Sequence, residues 1–326
     1  MEKFLKRAAC SILSLSLFLG ISAAASGEEL VPMGDVVGIS VASRGAVVAG
    51  FEDGGGSPAE TAGITKGDVI IAIGNREIKS AKEAAEALES KAGQNIAVTV
   101  LRGGEEKRVT LTAGDAGEGK GLLGVWLRDT LTGIGTVTYY DPETGQFGAL
   151  GHGINDADSG KLLPFDGGTI TGASVVDVVK GAPGAPGELC GQPDREQVLG
   201  ELEKNTGCGI FGKAGFEDAG EPVPVASPQE VRLGPASILS TVGGDGVKEY
   251  SVEISRIYRQ PDEHRFLMLT VTDPALLAQT GGIVQGMSGS PILQDGKLIG
   301  AVTHVLLSDA TRGYGIGIRE MLDAAA

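Results

Sequence analysis

Apolar runs of four to eight residues, each closed by a Gly, Pro, Asn or Asp turn, follow one another along almost the whole 326-residue chain. Runs of that length, rich in β-branched residues and bounded by turn residues, fit strands and not long helices. Only Ala81–Ser90 has the pattern of a substantial helix, with Ser80 as its cap and Glu83 at capping-box distance. With 53 glycines and 4% aromatic residues the chain is set up for many turns and a β-rich architecture. At 41% hydrophobic it can bury a sizeable core, and its length suggests two domains. No helix is long enough for a doubly wound sheet, so the strand spacing points to a barrel or sandwich.

Residues 1–26 begin with Lys3, Lys6 and Arg7, continue as an apolar run from Ala8 to Ile21 and end in the small residues Ser22 to Ser26. This is the pattern of an export signal cut near Ala25, with an uncleaved anchor over residues 8–22 as the alternative. The formal charge is −15, and no Lys/Arg cluster is present, so nucleic-acid binding is not expected. Cys10 falls inside the signal. Cys190 and Cys208 are an even pair in an exported chain, compatible with a disulfide and equally with two free thiols. No metal-ligand spacing accompanies them, and neither a metal nor a cofactor is expected.

Between Asp35 and Ala113 the sequence predicts paired strands Val36–Val41 and Gly45–Gly50, a helical turn at Pro58–Ala62 and a buried strand Asp68–Ile73. A short edge piece at Asn75–Ile78, the helix from Ala81, and strands Ile96–Leu101 and Val109–Leu111 follow. This order, with Ser57-Pro-Ala and Ala62-Gly-Ile-Thr-Lys-Gly67-Asp68-Val-Ile, resembles a PDZ domain over residues 35–113. The resemblance implies a peptide added as an extra strand. It would run along Gly38, Ile39, Ser40 and Val41, facing Ala81 and Ala84 of the helix, with its terminal carboxylate near Val36-Val37-Gly38. An apolar C-terminal residue is the expected preference, and a purely structural domain is the alternative.

Residues 114–121 form a glycine and charge stretch without apolar periodicity, a linker. Beyond it, over 122–326, strands Leu122–Leu127, Gly135–Tyr140 and Phe147–Leu150 lead to Gly151-His152-Gly153, a histidine with nothing bulky to cover it. Gly181–Gly187 is predicted as an exposed loop open to cleavage. His264 sits in a polar run and suits a solvated loop, whereas His304, in the strand Leu298–Leu306, suits either the core or the lining of a site. The stretch Gly281-Gly-Ile-Val-Gln-Gly286-Met-Ser288-Gly-Ser290-Pro-Ile292 places a serine in a glycine-lined turn. There the N–H groups of Gly286 and Ser288 can converge on an oxyanion, with Ser290 supporting the turn. A serine nucleophile needs a base and a group that orients the base. His152 is the candidate base. Asp156, Asp158, Asp166, Asp177 and Asp273 are candidate carboxylates, and Asp273, fixed before Pro274 and fifteen residues ahead of Ser288, is preferred.

The segments Trp126-Leu-Arg-Asp, Gly133-Ile-Gly-Thr-Val-Thr-Tyr-Tyr, Phe147-Gly-Ala-Leu-Gly-His-Gly-Ile154, Gly209-Ile-Phe-Gly212, the Ser288 stretch and Thr303-His-Val resemble the SpoIVB family of sporulation serine peptidases. The resemblance implies a mainly β chain, a PDZ domain followed by a chymotrypsin-like double β-barrel. It implies His152 as base, Ser288 as nucleophile and Asp273 as third member, with Asp166 and Asp177 as substitutes because Asp273 comes late in the chain for such a fold. The implied activity is that of an exported serine endopeptidase of sporulation signalling, which processes itself and cuts a membrane-complex partner in the space between two membranes to trigger a mother-cell sigma factor. Partners would then be protein substrates in that space, a C-terminal or internal peptide at the PDZ groove, and a second copy of the chain. Two other readings are a catalytically inactive PDZ adaptor and a quality-control protease of exported proteins.

Overall fold

The computed structural model describes residues 28–52, 56–114, 122–156, 160–217, 219–258 and 265–326. The expected export signal, the heart of the linker, Asp158 and His264 therefore lie outside the described residues. The strands are β1 (Glu29–Pro32), β2 (Val36–Phe51), β3 (Val69–Ile73), β4 (Arg76–Glu77), β5 (Asn95–Arg102), β6 (Glu105–Thr112), β7 (Val125–Tyr140), β8 (Gln146–Ala149), β9 (Phe165–Val179), β10 (Glu188–Thr206), β11 (Gly209–Ala214), β12 (Val223–Pro224), β13 (Gly234–Ser240), β14 (Lys248–Ile257), β15 (Leu267–Val271), β16 (Pro291–Gln294), β17 (Lys297–Leu306) and β18 (Asp309–Gly317). The helices are α1 (Pro58–Thr61), α2 (Ala81–Leu88), α3 (Pro274–Thr280) and α4 (Ile318–Ala325). Among the described residues no helix is long and apolar enough to cross a membrane.

Two six-stranded barrels carry the architecture. In the first, β2 pairs with β7 and β9, β7 with β8, β8 with β11, β11 with β10 and β10 with β9. The second closes as β13-β14-β15-β18-β17-β16. In each, the first three strands run in sequence and the last three return in reverse, the same Greek-key path twice. Inward side chains such as Val37, Val137, Phe147 and Ile170 fill the first barrel. Ile238, Val252, Leu267 and Ile292 fill the second. Each contributes about 1.5–3 kcal/mol by leaving water.

The PDZ-like unit is inserted between the first two strands of the first barrel. Its core of Ile64, Ile70, Ile78, Leu88, Val98 and Val100 is separate from the barrel's. Instead of two paired strands, Val36–Phe51 forms one long strand, because residues Ser43 to Gly45 make a bulge and not a turn; the register with β7 shifts between Ala42 and Val47. The first half of β2 belongs to the barrel, while its second half pairs with β3 and with the start of β7. A boundary at Asp35 thus cuts ahead of a barrel strand, and β2 and β7 are shared by both units.

Local sequence explains most helix ends. Ser80 accepts from the Glu83 N–H (3.1 Å), and the Glu83 carboxylate reaches back one residue further than a capping box requires, to the Lys79 N–H (2.8 Å). The predicted loop Gly181–Gly187 is tied down: the Gly181 N–H donates to the Thr280 carbonyl and the Gly184 N–H to that of Leu307, both at 2.8 Å. Cys190, on β10, and Cys208, in the tight turn after it, are not joined in a disulfide.

Candidate active site

Strand β8 ends at Ala149, and the next two residues, Leu150 and Gly151, both have positive φ (70° and 68°). That paired left-handed turn swings His152 out of the barrel and into a cleft between the two barrels. Its Nδ1 lies 2.9 Å from the Gly153 carbonyl. A carbonyl only accepts, so this contact places the proton on Nδ1 and leaves the Nε2 lone pair free, the tautomer a general base needs. Burial holds the imidazole less basic than usual, with the Gly153 carbonyl acting in the opposite direction.

Ser288 lies in the turn between α3 and β16, and the first barrel holds that turn in place. The Thr136 N–H of β7 donates to the Ser288 carbonyl (3.1 Å), and Thr136 Oγ donates to the Gly286 carbonyl (2.8 Å). From the second barrel, the Gly289 N–H reaches the Val302 carbonyl (2.8 Å). Ser290 Oγ bonds Ser240 Oγ (3.0 Å) beneath the turn, the supporting part expected of it. Among the described residues, neither the Gly286 N–H nor the Ser288 N–H has an acceptor. Both therefore remain available to an oxyanion. Ser288 Oγ donates to the Thr303 carbonyl (2.5 Å) and not to His152. Rotation about its Cα–Cβ bond would have to release that contact before His152 could act on it as a base, and resting geometry of this kind is common before substrate binds.

His152, Gly286 and Ser288 line one cleft of about 1130 Å³. Ile283, Val284, Val305 and Leu306 form apolar wall on the second-barrel side, and Leu131, Ile134 and Leu150 on the first. His304 completes the surroundings of His152. Its ring centroid is 4.9 Å from that of His152, at a 36° tilt. Lost hydration, then the neighbouring His152 and Arg265, push His304 down to about 4. It stays neutral at the pH where His152 would work.

Asp273 requires a correction. It is the N-cap of α3, with Oδ1 accepting from the N–H groups of Ala275 (2.9 Å) and Leu276 (3.0 Å) and Oδ2 from that of Ser251 (3.3 Å). It does not line the cleft. Those backbone donors hold its carboxyl below the usual range, with Leu276 foremost. The signal was legible: Asp-Pro followed by Gly281 at φ 77° is N-cap, first helical residue and left-handed stop. The other candidates fare no better. Asp166 and Asp177 are exposed on β9, and Asp156 is buried against Arg128, Oδ2 to Nη2 at 2.9 Å. Among the described residues no carboxylate faces the His152 ring. Asp273→Ala should therefore cost stability, about 1 kcal/mol for a lost cap, and leave the rate of serine labelling by a fluorophosphonate within threefold; paired melting and labelling measurements check both.

The expected peptide groove also moves. Ile39, Ser40 and Val41 pair with Gly133, Thr132 and Leu131 of β7 on one side and with Ile170, Thr169 and Gly168 of β9 on the other. Gly38 is held between the same two strands, so this stretch has no edge left for an added strand. Helix α2, with Ala81 and the fully buried Ala84, instead stands beside the start of β7: Val125 and Leu127 pack into the same core, and Asp129 Oδ2 accepts from the Ala81 N–H (2.9 Å). Leu122-Leu123-Gly124 leads into that strand as a glycine turn and not as the beginning of a barrel strand.

These features define a double-barrel serine-peptidase fold with an inserted PDZ unit. A family model described as SpoIVB peptidase S55 matches residues 119–322, and a PDZ model matches residues 55–102. The chain belongs to the SpoIVB peptidase S55 family, a family of serine endopeptidases. It is similar to the magnetosome formation protease MamE of Paramagnetospirillum magneticum, 34% identical over 95 residues, which are 28% of this chain and 13% of MamE. Among solved structures it is similar to the HtrA-type protease AlgW with tripeptide (TM-score 0.36, 14% identity, 59% of this chain and 54% of that one). It is also similar to the Rv3671c protease from M. tuberculosis in its active form (TM-score 0.34, 16% identity, 60% and 73%). The chain thus spans only part of MamE and about half of the AlgW chain.

Proposed function

We propose that this protein is an exported serine endopeptidase of sporulation signalling, which processes itself and cleaves a membrane-complex partner to trigger activation of a mother-cell sigma factor. The observation that carries the peptidase part is the convergence on one cleft of His152, Ser288 and two N–H groups that no described residue engages. The signalling part rests on the family.

In the reaction, Ser288 Oγ turns from Thr303 to His152, whose Nε2 takes the proton as Oγ attacks the peptide carbonyl. The N–H groups of Gly286 and Ser288 receive the oxyanion. His152 then passes its proton to the departing amine, and a water, deprotonated by the same Nε2, releases the acyl group. The Gly153 carbonyl holds the ring in its working tautomer, the task a carboxylate performs in the usual triad. A peptide ligand of the PDZ unit would bind between α2 and the first half of β7, where no described strand covers the edge.

Mass spectrometry of the wild-type protein and the Ser288→Ala variant tests the reading. New N-termini should appear in the wild type and be absent from the variant, and a fluorophosphonate should label only the wild type. An inactive adaptor would show neither difference. A quality-control protease would degrade a generic unfolded protein that a signalling protease leaves largely uncut.

A further inference from the structure

Strand β7 runs without interruption from the α2 groove to the nucleophile. At Thr136 both the N–H and the C=O point away from β2, the first to the Ser288 carbonyl and the second to the Leu150 N–H (3.1 Å). Strand groups alternate with a period of two, so the N–H and C=O of Ile134, Thr132 and Thr130 point to that same side. Pairing with β8 begins only at Val137, and with β1 at Tyr139. Among the described residues no strand covers the edge from Val125 to Ile134. Thr130, Thr132, Gly133 and Trp126 are exposed along it, Trp126 to 61%. At the far end, the N–H groups of Leu123 and Gly124 have no acceptor among the described residues, and Gly124 is at φ 66°.

We propose that this edge is one continuous track for the C-terminal segment of a protein substrate, lying antiparallel to β7 with its carboxylate at Leu122–Gly124 and its scissile bond at Ser288. The chemistry selects that occupant. An unpaired strand edge takes an extended main chain, free N–H groups in a glycine turn take a carboxylate, and the antiparallel direction carries the upstream residues into the catalytic cleft. Asp129, bonded to the first turn of α2, keeps helix and strand together as the two walls. From Gly124 to Ile134 the strand offers about ten positions, roughly 33 Å at 3.3 Å each. Antiparallel pairing is residue for residue. The enzyme would therefore measure its cut from the end of the substrate, about ten to twelve residues before the free carboxylate.

The proposal rests on the peptidase reading above, and one experiment separates their fates. A library of 24-residue peptides, randomised except for a terminal valine, is digested as the free acid and as the amide, with products mapped by mass spectrometry. Absence of both cleavage and fluorophosphonate labelling would overturn the peptidase reading itself. With an active enzyme, cuts in the free acids should cluster about ten to twelve residues from the end, and the cluster should lose at least fivefold in the amides. Cuts spread evenly, or a cluster indifferent to amidation, would overturn the track. Thr130→Pro supplies a second arm: its lost N–H points to the free edge, so the ladder with β2 is kept. The variant should melt like the wild type and scatter the cuts, and an unchanged cluster in it would also overturn the proposal.

Discussion

His152→Ala is expected to lower the rate of fluorophosphonate labelling of Ser288 by roughly 10⁴-fold or more, whereas Asp273→Ala leaves that rate nearly unchanged. The contrast follows from geometry. His152 shares the cleft with Ser288 and has its Nδ1 proton committed to the Gly153 carbonyl, while Asp273 spends its carboxylate on backbone donors of α3. The pH profile follows as well. With His152 as the proposed base, labelling would require its neutral form, and burial has made this imidazole harder to protonate. Activity should thus fall on an acid limb whose midpoint lies below the usual histidine value. Stability should move in the same direction. His152 and His304 are both less basic in the folded chain, His304 down to about 4, so the unfolded chain takes up their protons first. Their contribution is complete above about pH 6.5 and is lost as pH falls from there toward 4. A plateau ending above pH 7 in a stopped-time labelling series would show that the base is not a buried, depressed imidazole. Comparable losses in His152→Ala and Asp273→Ala would restore the carboxylate to the machinery.

Short-range signals made the barrels and the glycine-lined turn around Ser288 legible. Alternating runs bounded by Gly and Asp gave most strands, and Gly151-His-Gly153 and Gly286-Met-Ser288-Gly marked two close approaches of backbone that only a folded cleft explains. What stayed hidden depended on contacts far apart in the chain. Whether Ser43-Arg-Gly45 turns or bulges is decided by β7, which pairs with residues on both sides of it and lies some eighty residues downstream. The peptide groove is hidden for the same reason: Ile39–Val41 has the composition of an open strand, and only the arrival of β7 and β9 on its two edges excludes a peptide. Asp273 failed for a different reason. Closeness in sequence to Ser288 does not bring it into the cleft, because the Asp-Pro pair favours a helix cap over a catalytic partner. The role of His304 rested on the ring contact with His152, which links the end of β8 to β17 across the cleft and has no signature in either strand.

Gly289→Ala should unfold the site that His152→Ala only disarms. Gly289 sits at φ +98°, where an L-residue is strained, and a Cβ there would stand 2.0 Å from the Thr136 carbonyl oxygen and 2.6 Å from the Leu150 nitrogen. Those two atoms are partners in the bond that joins β7 to the residue carrying the chain round to His152. The added methyl group cannot be relieved by moving a flexible side chain. It must push apart the Ser288 turn of one barrel and the turn that leads to His152 in the other. A destabilisation of roughly 2–4 kcal/mol is expected, with labelling slowed more than 100-fold, since sub-ångström misplacement of the reacting groups is costly in rate. Gly296 provides the control. It too has a positive φ, +74°, but a Cβ there meets nothing within 4 Å. Gly296→Ala should cost only the backbone term, about 1 kcal/mol, and leave labelling unchanged. Equal losses of melting temperature and labelling in the two variants would mean that backbone conformation alone, and not the contact between barrels, dictates glycine beside the serine.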